Sequence, residues 1–243
     1  ADLWLGISPL LFCMLIAMEV PVALGWIAEY NAAVALVCAS FALTAYSVVN
    51  AYSPSVVEIK LSSRKVTSTV RFAQITDVHI GSRSGAFLSR VMEEVNRLNI
   101  DFLCITGDFI DATGVTEHAL AALRSSRVPI YFSIGNHERY EDLDAILERL
   151  KRLGVTVLRS RTVTHGEVQL IGIDDAENPL QVQRELATLE LDAKQFSLLM
   201  YHRPRSLGAA AKAGVDLMIS GHTHNGQIVP FNFIVARVFE KTV

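Results

Sequence analysis

Between Val70 and Ser220 the chain repeats one rhythm, a short apolar run followed by a segment with apolar residues at helical spacing. Val70 to Thr76, Phe102 to Thr106, Ile130 to Ile134, Val168 to Ile173, Phe196 to Tyr201 and Leu217 to Ser220 read as strands. Phe87 to Leu98, Thr116 to Arg124, Leu143 to Leu153 and Pro204 to Ala213 read as helices. This alternation predicts an α/β domain in which helices cover a central sheet.

The residues that carry chemistry stand just after these strands. Asp77 and His79 follow the first, Asp108 the second, and Asn136 with His137 the third. They recur roughly every 30 residues, the length of one strand-helix-strand unit. Successive strand ends then meet at one edge of the sheet, where open α/β sheets bind ligands. His202, His222 and His224 extend the pattern behind the last two runs. Gly107, Gly135 and Gly221 each precede a candidate ligand, where a flexible backbone can turn off a strand.

This set offers carboxylate oxygens, an amide oxygen and imidazole nitrogens, with no sulfur. Such donors suit Mn, Fe or Zn better than a Ca site or a structural Zn site. Seven candidate ligands with one bridging carboxylate can hold two divalent metals. Two metals about 3.5–4 Å apart clamp a phosphoryl group and lower the pKa of a shared water. No single element suffices, because Asp-x-His is also an ordinary turn or cap pattern and Gly-Asn marks turns. The argument rests on all five elements in order behind predicted strands.

Asp77-Val78-His79, Gly107-Asp108, Gly135-Asn136-His137-Glu138, His202 and Gly221-His222-Thr223-His224 resemble the motif series of calcineurin-like metallophosphoesterases. With the apolar start of the chain and the run Gly221-His222-Thr223-His224-Asn225-Gly226-Gln227, the nearer resemblance is to the bacterial membrane-linked branch similar to YkuE and YaeI. It covers Phe72 to about Phe239. The resemblance implies one metal on Asp77, His79, Asp108 and His224, and a second on Asn136, His202 and His222 with Asp108 as the bridge. It implies that His137 faces the substrate phosphate and assists the leaving group. It also implies a metallophosphoesterase-type β-sandwich flanked by helices. Similar proteins continue past the last motif into strands that complete the second sheet, so a C-terminal truncation is expected.

The apolar composition is concentrated at the start. Residues Ala32 to Asn50 are uncharged and mostly apolar, about the ~20 residues that cross a ~30 Å hydrocarbon layer as a helix. Leu3 to Ala28 is a second apolar run, interrupted by Glu19 and Pro21, and a turn is expected through Glu29, Tyr30 and Asn31. The expected layout is therefore residues 1–52 as a membrane region of one or two spans, 53–70 as linker with a leading strand at Val56 to Leu61, and 71–243 as the metallophosphoesterase domain. The chain opens with Ala and has no basic residue before Lys60, against an intact secretory signal, so a fragment is expected. Lys60, Arg64, Lys65 and Arg71 follow the second span and point to a cytoplasmic catalytic domain on a bacterial inner membrane.

The formal net charge of -3 and the lack of a Lys/Arg block argue against nucleic acid as a standing partner. Cys13, Cys38 and Cys104 show no ligand spacing and read as buried free thiols. His118 and His165 read as surface residues. Gly81-Ser82-Arg83-Ser84-Gly85 lacks the ending of a P-loop and reads as a mobile loop beside the site. Asp111, Glu138 and Arg203 are candidates to orient imidazoles or meet substrate charge. The expected activity is hydrolysis of phosphate esters by a bridging hydroxide attacking in line, with a phosphodiester or lipid-linked substrate favoured by the membrane tether. The competing expectation is a membrane-anchored scaffold that keeps the fold without catalysis.

Overall fold

Two apolar stretches at the start of the chain form helices α1 (Asp2–Ala23) and α2 (Glu29–Ala51) in a computed structural model that describes residues 2–224 and Arg237. Asn225, Gly226 and Gln227 of the motif series lie outside the described residues. The chain divides into two units, one through Ile59 and one from Lys60.

In the first unit the turn occupies residues 24–28, not Glu29 to Asn31. Gly25 takes the left-handed conformation there, with φ 69°, which a glycine adopts without steric cost. Glu29 opens α2 instead, where a carboxylate complements the positive end of the helix dipole. Large apolar side chains face outward, with Phe41 78% and Trp26 74% exposed, and Cys13 and Cys38 are exposed rather than buried. An apolar surface all round a helix is the pattern of a membrane span. Among the described residues α2 is the one helix long and apolar enough to cross a membrane. Val56 to Leu61 forms no strand, and Val57 and Ile59 are exposed; alternating residues do not make a strand without a partner to complete its ladder.

Among the described residues, the second unit contains two four-stranded sheets. Strands β1 (Phe72–Ile75), β2 (Phe102–Thr106), β3 (Ile130–Ser133) and β4 (Val155–Val157) pair in that order, all parallel. In the second sheet, β5 (Arg161–His165) runs antiparallel to β6 (Val168–Gly172), and β7 (Phe196–Met200) and β8 (Leu217–Ile219) continue in parallel. Side chains alternate across each strand. Phe102 and Cys104 of β2 pack with Leu170, Leu198 and Met200 between the sheets. Leu103 and Ile105 face the other way, onto α3 (Gly85–Arg97) and α5 (Leu143–Arg152). On the outer face of the second sheet, Ile171 and Leu199 lie in a cluster with Val182 and Leu186 of α6 (Gln181–Thr188) and Ala210 of α7 (Leu207–Lys212). Complete burial of a side chain such as Phe102 or Leu198 stabilises the fold by about 1.5–3 kcal/mol each. The expected sandwich of two sheets flanked by helices is thus present.

Thr116 to Arg124 does not form the expected α-helix. Bonds from Ala119, Leu120 and Ala121 reach back three residues, and the segment ends in a 3-10 helix, Ala121–Ser125. Its buried residues, Leu120 and Leu123, are three apart, which matches the tighter period. His165 is half-buried rather than a surface residue, because the alternation of β5 turns it inward with Val163. Its Nδ1 lies 3.1 Å from the Tyr131 hydroxyl and its ring centre 4.9 Å from that of Phe102. Within residues 53–70, the backbone N–H groups of Thr67 and Ser68 donate to Glu167, and Lys65 pairs with Asp216 at 2.8 Å.

Candidate metal centre

Parallel pairing brings the C-terminal ends of β1, β2 and β3 to one edge of the first sheet, and β7 and β8 do the same in the second. The loops beyond the strands stay paired. Asp77 N–H donates to Gly107 O at 3.2 Å, His79 N–H to Asp108 O at 3.1 Å, and Gly221 N–H to His202 O at 2.9 Å. A buried polar floor joins the sheets beneath them, where Gln74 Nε2 donates to Thr106 Oγ1 (2.7 Å) and Ser220 O (2.8 Å).

Five of the candidate ligands take positive φ: Asp77 (53°), His79 (54°), Asp108 (48°), His222 (73°) and His224 (47°). A non-glycine residue there costs about 1–3 kcal/mol and persists only where the surroundings fix it. The three glycines differ in purpose. Gly107 has φ 80° and does turn the chain. Gly135 and Gly221 are needed for space: a Cβ on Gly135 would lie 2.3 Å from Asp108 N, and one on Gly221 2.2 Å from Asp77 Oδ2.

The side chains gather in two main groups. In the first, His224 Nε2 lies 3.3 Å from both His79 Nε2 and Asp77 Oδ1. In the second, Asp108, His202 and His222 converge, with His202 Nε2 3.0 Å from Asp108 Oδ2. A further grouping joins His79, Asp111 and His137. His137 Nε2 is 3.9 Å from Asp108 Oδ2, and its backbone N–H donates to Asp108 Oδ1 at 2.8 Å. Asn136 is buried, and its Oδ1 has no hydrogen-bond partner among the described residues. An unmatched buried amide oxygen is costly, and a cation satisfies it.

His202 supplies a second sign of the same need. Its Nδ1 lies 2.8 Å from Thr106 O and donates to it. Its Nε2 faces the Asp108 carboxylate at short range without hydrogen-bond alignment. Burial disfavours the charged imidazole, but Asp108 outweighs burial and pushes the His202 pKa up to about 9. Burial likewise raises Asp108, and His202 with the His137 N–H outweighs it, so the carboxyl is held at about 2. The pair therefore requires a positive charge between its facing atoms, from a proton or a metal cation. Burial, then His202 and Arg203, lower His222 to about 4, and burial with His224 lowers His79. Neutral imidazole is the form that ligates metal. The donor set therefore fits divalent cations of the hard to borderline kind.

The three charged neighbours have definite partners. Asp111 Oδ2 lies 3.2 Å from His79 Nδ1, and its Oδ1 accepts from Ser82 N at 2.9 Å. In the Gly81 to Gly85 segment, Gly81 N–H also donates to Arg83 O and Arg83 N–H to His79 O. Arg203 is buried and clamps Asp175 through two bonds of 2.7 and 3.1 Å. Glu138 is buried and, among the described residues, accepts from backbone N–H groups alone. His118 is exposed. Asp175, which follows β6 and anchors Arg203, stands in no motif and was missed from the sequence.

The family model described as Calcineurin-like phosphoesterase matches residues 70–226. Over 75% of its length the chain is 29% identical to an uncharacterized metallophosphoesterase of Helicobacter pylori, of which it covers 52%. It is also 29% identical to an uncharacterized metallophosphoesterase of Aquifex aeolicus, over 82% of this chain and 81% of that protein. A Danio rerio protein named as a transmembrane protein with metallophosphoesterase domain is 28% identical over 79% of this chain and 49% of its own length. The chain thus spans about half the length of the Helicobacter and Danio relatives.

Proposed function

This chain belongs to the calcineurin-like phosphoesterase family, and from that premise we propose that it is a metal-dependent hydrolase of phosphate esters with a dinuclear centre. Asp77, His79, Asp108 and His224 hold one divalent cation, and Asp108, Asn136, His202 and His222 the second. Mn, Fe and Zn all suit these donors. The observation that carries the reading is the convergence of Asp108, His202 and His222, together with a buried Asn136 Oδ1 that has no hydrogen-bond partner among the described residues. Divalent cations bound there supply Lewis acidity and lower the pKa of water to near neutrality. His137 stands at the open side, with its side chain 39% exposed, and donates a proton to the departing alkoxide. Five non-glycine residues held at positive φ, with their side chains in two ligand-like groups, cost stability that a non-catalytic scaffold has no need to spend, which favours the enzyme.

The substrate we favour is a phosphodiester or a lipid-linked phosphate. Support comes from α2, which is long and apolar enough to span a bilayer, and from relatives named as transmembrane proteins. We assign residues 1–52 to a membrane region, 53–70 to a linker and 71–243 to the phosphoesterase domain. The basic residues that follow α2 favour a cytoplasmic face. Removal of residues 1–52 is expected to convert a detergent-requiring protein into a soluble one with unchanged metal content. Fractionation of the full chain as soluble without detergent excludes the anchor.

Elemental analysis after reconstitution with Mn, Fe or Zn is expected to give two ions per chain. A limit of one ion rules out the dinuclear centre. The loaded protein is then screened on phosphodiesters, phosphomonoesters and lipid pyrophosphates. Failure on all three classes rejects the enzyme reading, and a preference for monoesters rejects the phosphodiesterase.

A further inference from the structure

Glu138 is 0% exposed. None of its hydrogen-bond partners is a side chain among the described residues. Its Oε2 accepts from Gly135 N (2.9 Å) and Asp108 N (3.0 Å), and its Oε1 from Phe109 N (2.6 Å) and Ile110 N (2.9 Å). One carboxylate thus ties together the loop after β2 and the start of α4 (Asn136–Tyr140), the two segments that carry Asp108 and Asn136. Burial pushes the Glu138 pKa up, and the N–H groups aimed at its two oxygens oppose that shift, because such bonds are stronger to an ionised acceptor. Three successive N–H groups, from Asp108 to Ile110, converge on it, and this convergence requires the reversed backbone at Gly107 and Asp108. The missing Cβ at Gly135 lets the two segments come close enough to share one acceptor.

We propose that Glu138 is a positioning residue, whose carboxylate holds the Asp108 backbone in its left-handed conformation and so aims the two Asp108 oxygens in different directions. Oδ1 is fixed by the His137 N–H at 2.8 Å, and Oδ2 faces His202 Nε2 at 3.0 Å. That presentation is what a carboxylate shared between two cations needs. The inference rests on the reading of Asp108 as the shared metal ligand. Glu138 acts through the backbone and touches neither cation nor substrate. Glutamine cannot replace it, because its amide nitrogen meets one pair of N–H donors with no lone pair to offer. Aspartate keeps the charge but is one methylene too short to serve both segments.

The test uses the full chain, with Mn(II) binding followed by titration calorimetry and by electron paramagnetic resonance. Glu138→Gln is expected to weaken Mn(II) binding by about 10–100-fold, the usual effect of losing a group that orients a ligand. It is also expected to lose the spectrum of an exchange-coupled pair at concentrations where the wild type shows it. The thermal midpoint of the metal-free protein establishes that the variant is folded during the measurement. Wild-type affinity and a coupled spectrum overturn the proposal, even if the midpoint falls, because a merely structural role moves only the midpoint. If Glu138→Gln does not fold, Glu138→Asp carries the same test, with at least about a 10-fold loss expected and wild-type affinity as the overturning result. Asp108→Asn separates the two ideas. If it binds Mn(II) as the wild type does, the shared-ligand reading fails and this proposal falls with it. If it loses the pair while Glu138→Gln keeps it, only the positioning role fails.

Discussion

Asp108→Asn is expected to abolish measurable turnover and to leave fewer than two metal ions per chain. The side chain is nearly inaccessible, at 3% exposure, so the isosteric amide fits the same space and the comparison isolates charge. Asp108 Oδ1 accepts the His137 N–H and Oδ2 faces His202, so an amide must turn its NH2 toward one of these two positions. Turned toward His137, it sets one donor against another. Turned toward His202, it removes the one atom at 3.0 Å able to share a cation with that imidazole. Either way the charge that attracts two cations to one point is gone. The loss of rate is expected to be at least the roughly 10²–10³-fold that follows removal of one electrostatic stabiliser. Turnover is measured at saturating metal, so that weak binding and slow chemistry are separated. Two ions per chain with near-normal turnover excludes Asp108 as the bridge.

The parts of the fold that could be read from sequence are those whose burial leaves a run of apolar residues. β2 is buried on both faces and falls on Phe102–Thr106, as the sequence implies. β3, β6 and β7 match within a residue at each end for the same reason, and β8 matches as closely although its three residues are only half-buried. β5 was not seen, because it is a polar edge strand with Arg161 and Thr164 exposed. β4 is three residues long and α6 buries only Val182 and Leu186, so neither leaves a stripe long enough to count. Among the candidate site residues, Asp77, His79, Asp108, Asn136 and the three histidines were legible as polar residues placed directly behind strands. What lies beneath them was not. Glu138 reads in sequence as an ordinary charge after a histidine, because its partners are backbone N–H groups that any residue supplies. Gly135 reads as a turn former, yet its φ is -96°, and what demands glycine there is the approach of Asp108.

His137→Ala is expected to reduce the rate by about 10²–10⁴-fold, the range for a positioned proton donor, while metal content stays near normal. The separation follows from which atoms the substitution removes. The backbone N–H that holds Asp108 Oδ1 survives in alanine, and so does the short helix α4 on which residue 137 sits. Only the imidazole is lost. It stands 39% exposed, with its ring edge-on to that of His79 at 4.7 Å, so it is accessible from solvent beside the candidate ligands. Its Nε2 is 3.9 Å from Asp108 Oδ2, beyond hydrogen-bonding range, which leaves it free to meet an oxygen of a bound phosphate ester. A proton donor matters most when the departing group is a strong base. The loss should therefore be larger for a diester with an alkyl alcohol as leaving group than for one with nitrophenolate, which leaves without a proton. Equal losses on the two substrates assign His137 to positioning the phosphate instead. Loss of an ion makes it a ligand, in keeping with its place beside His79 and Asp111.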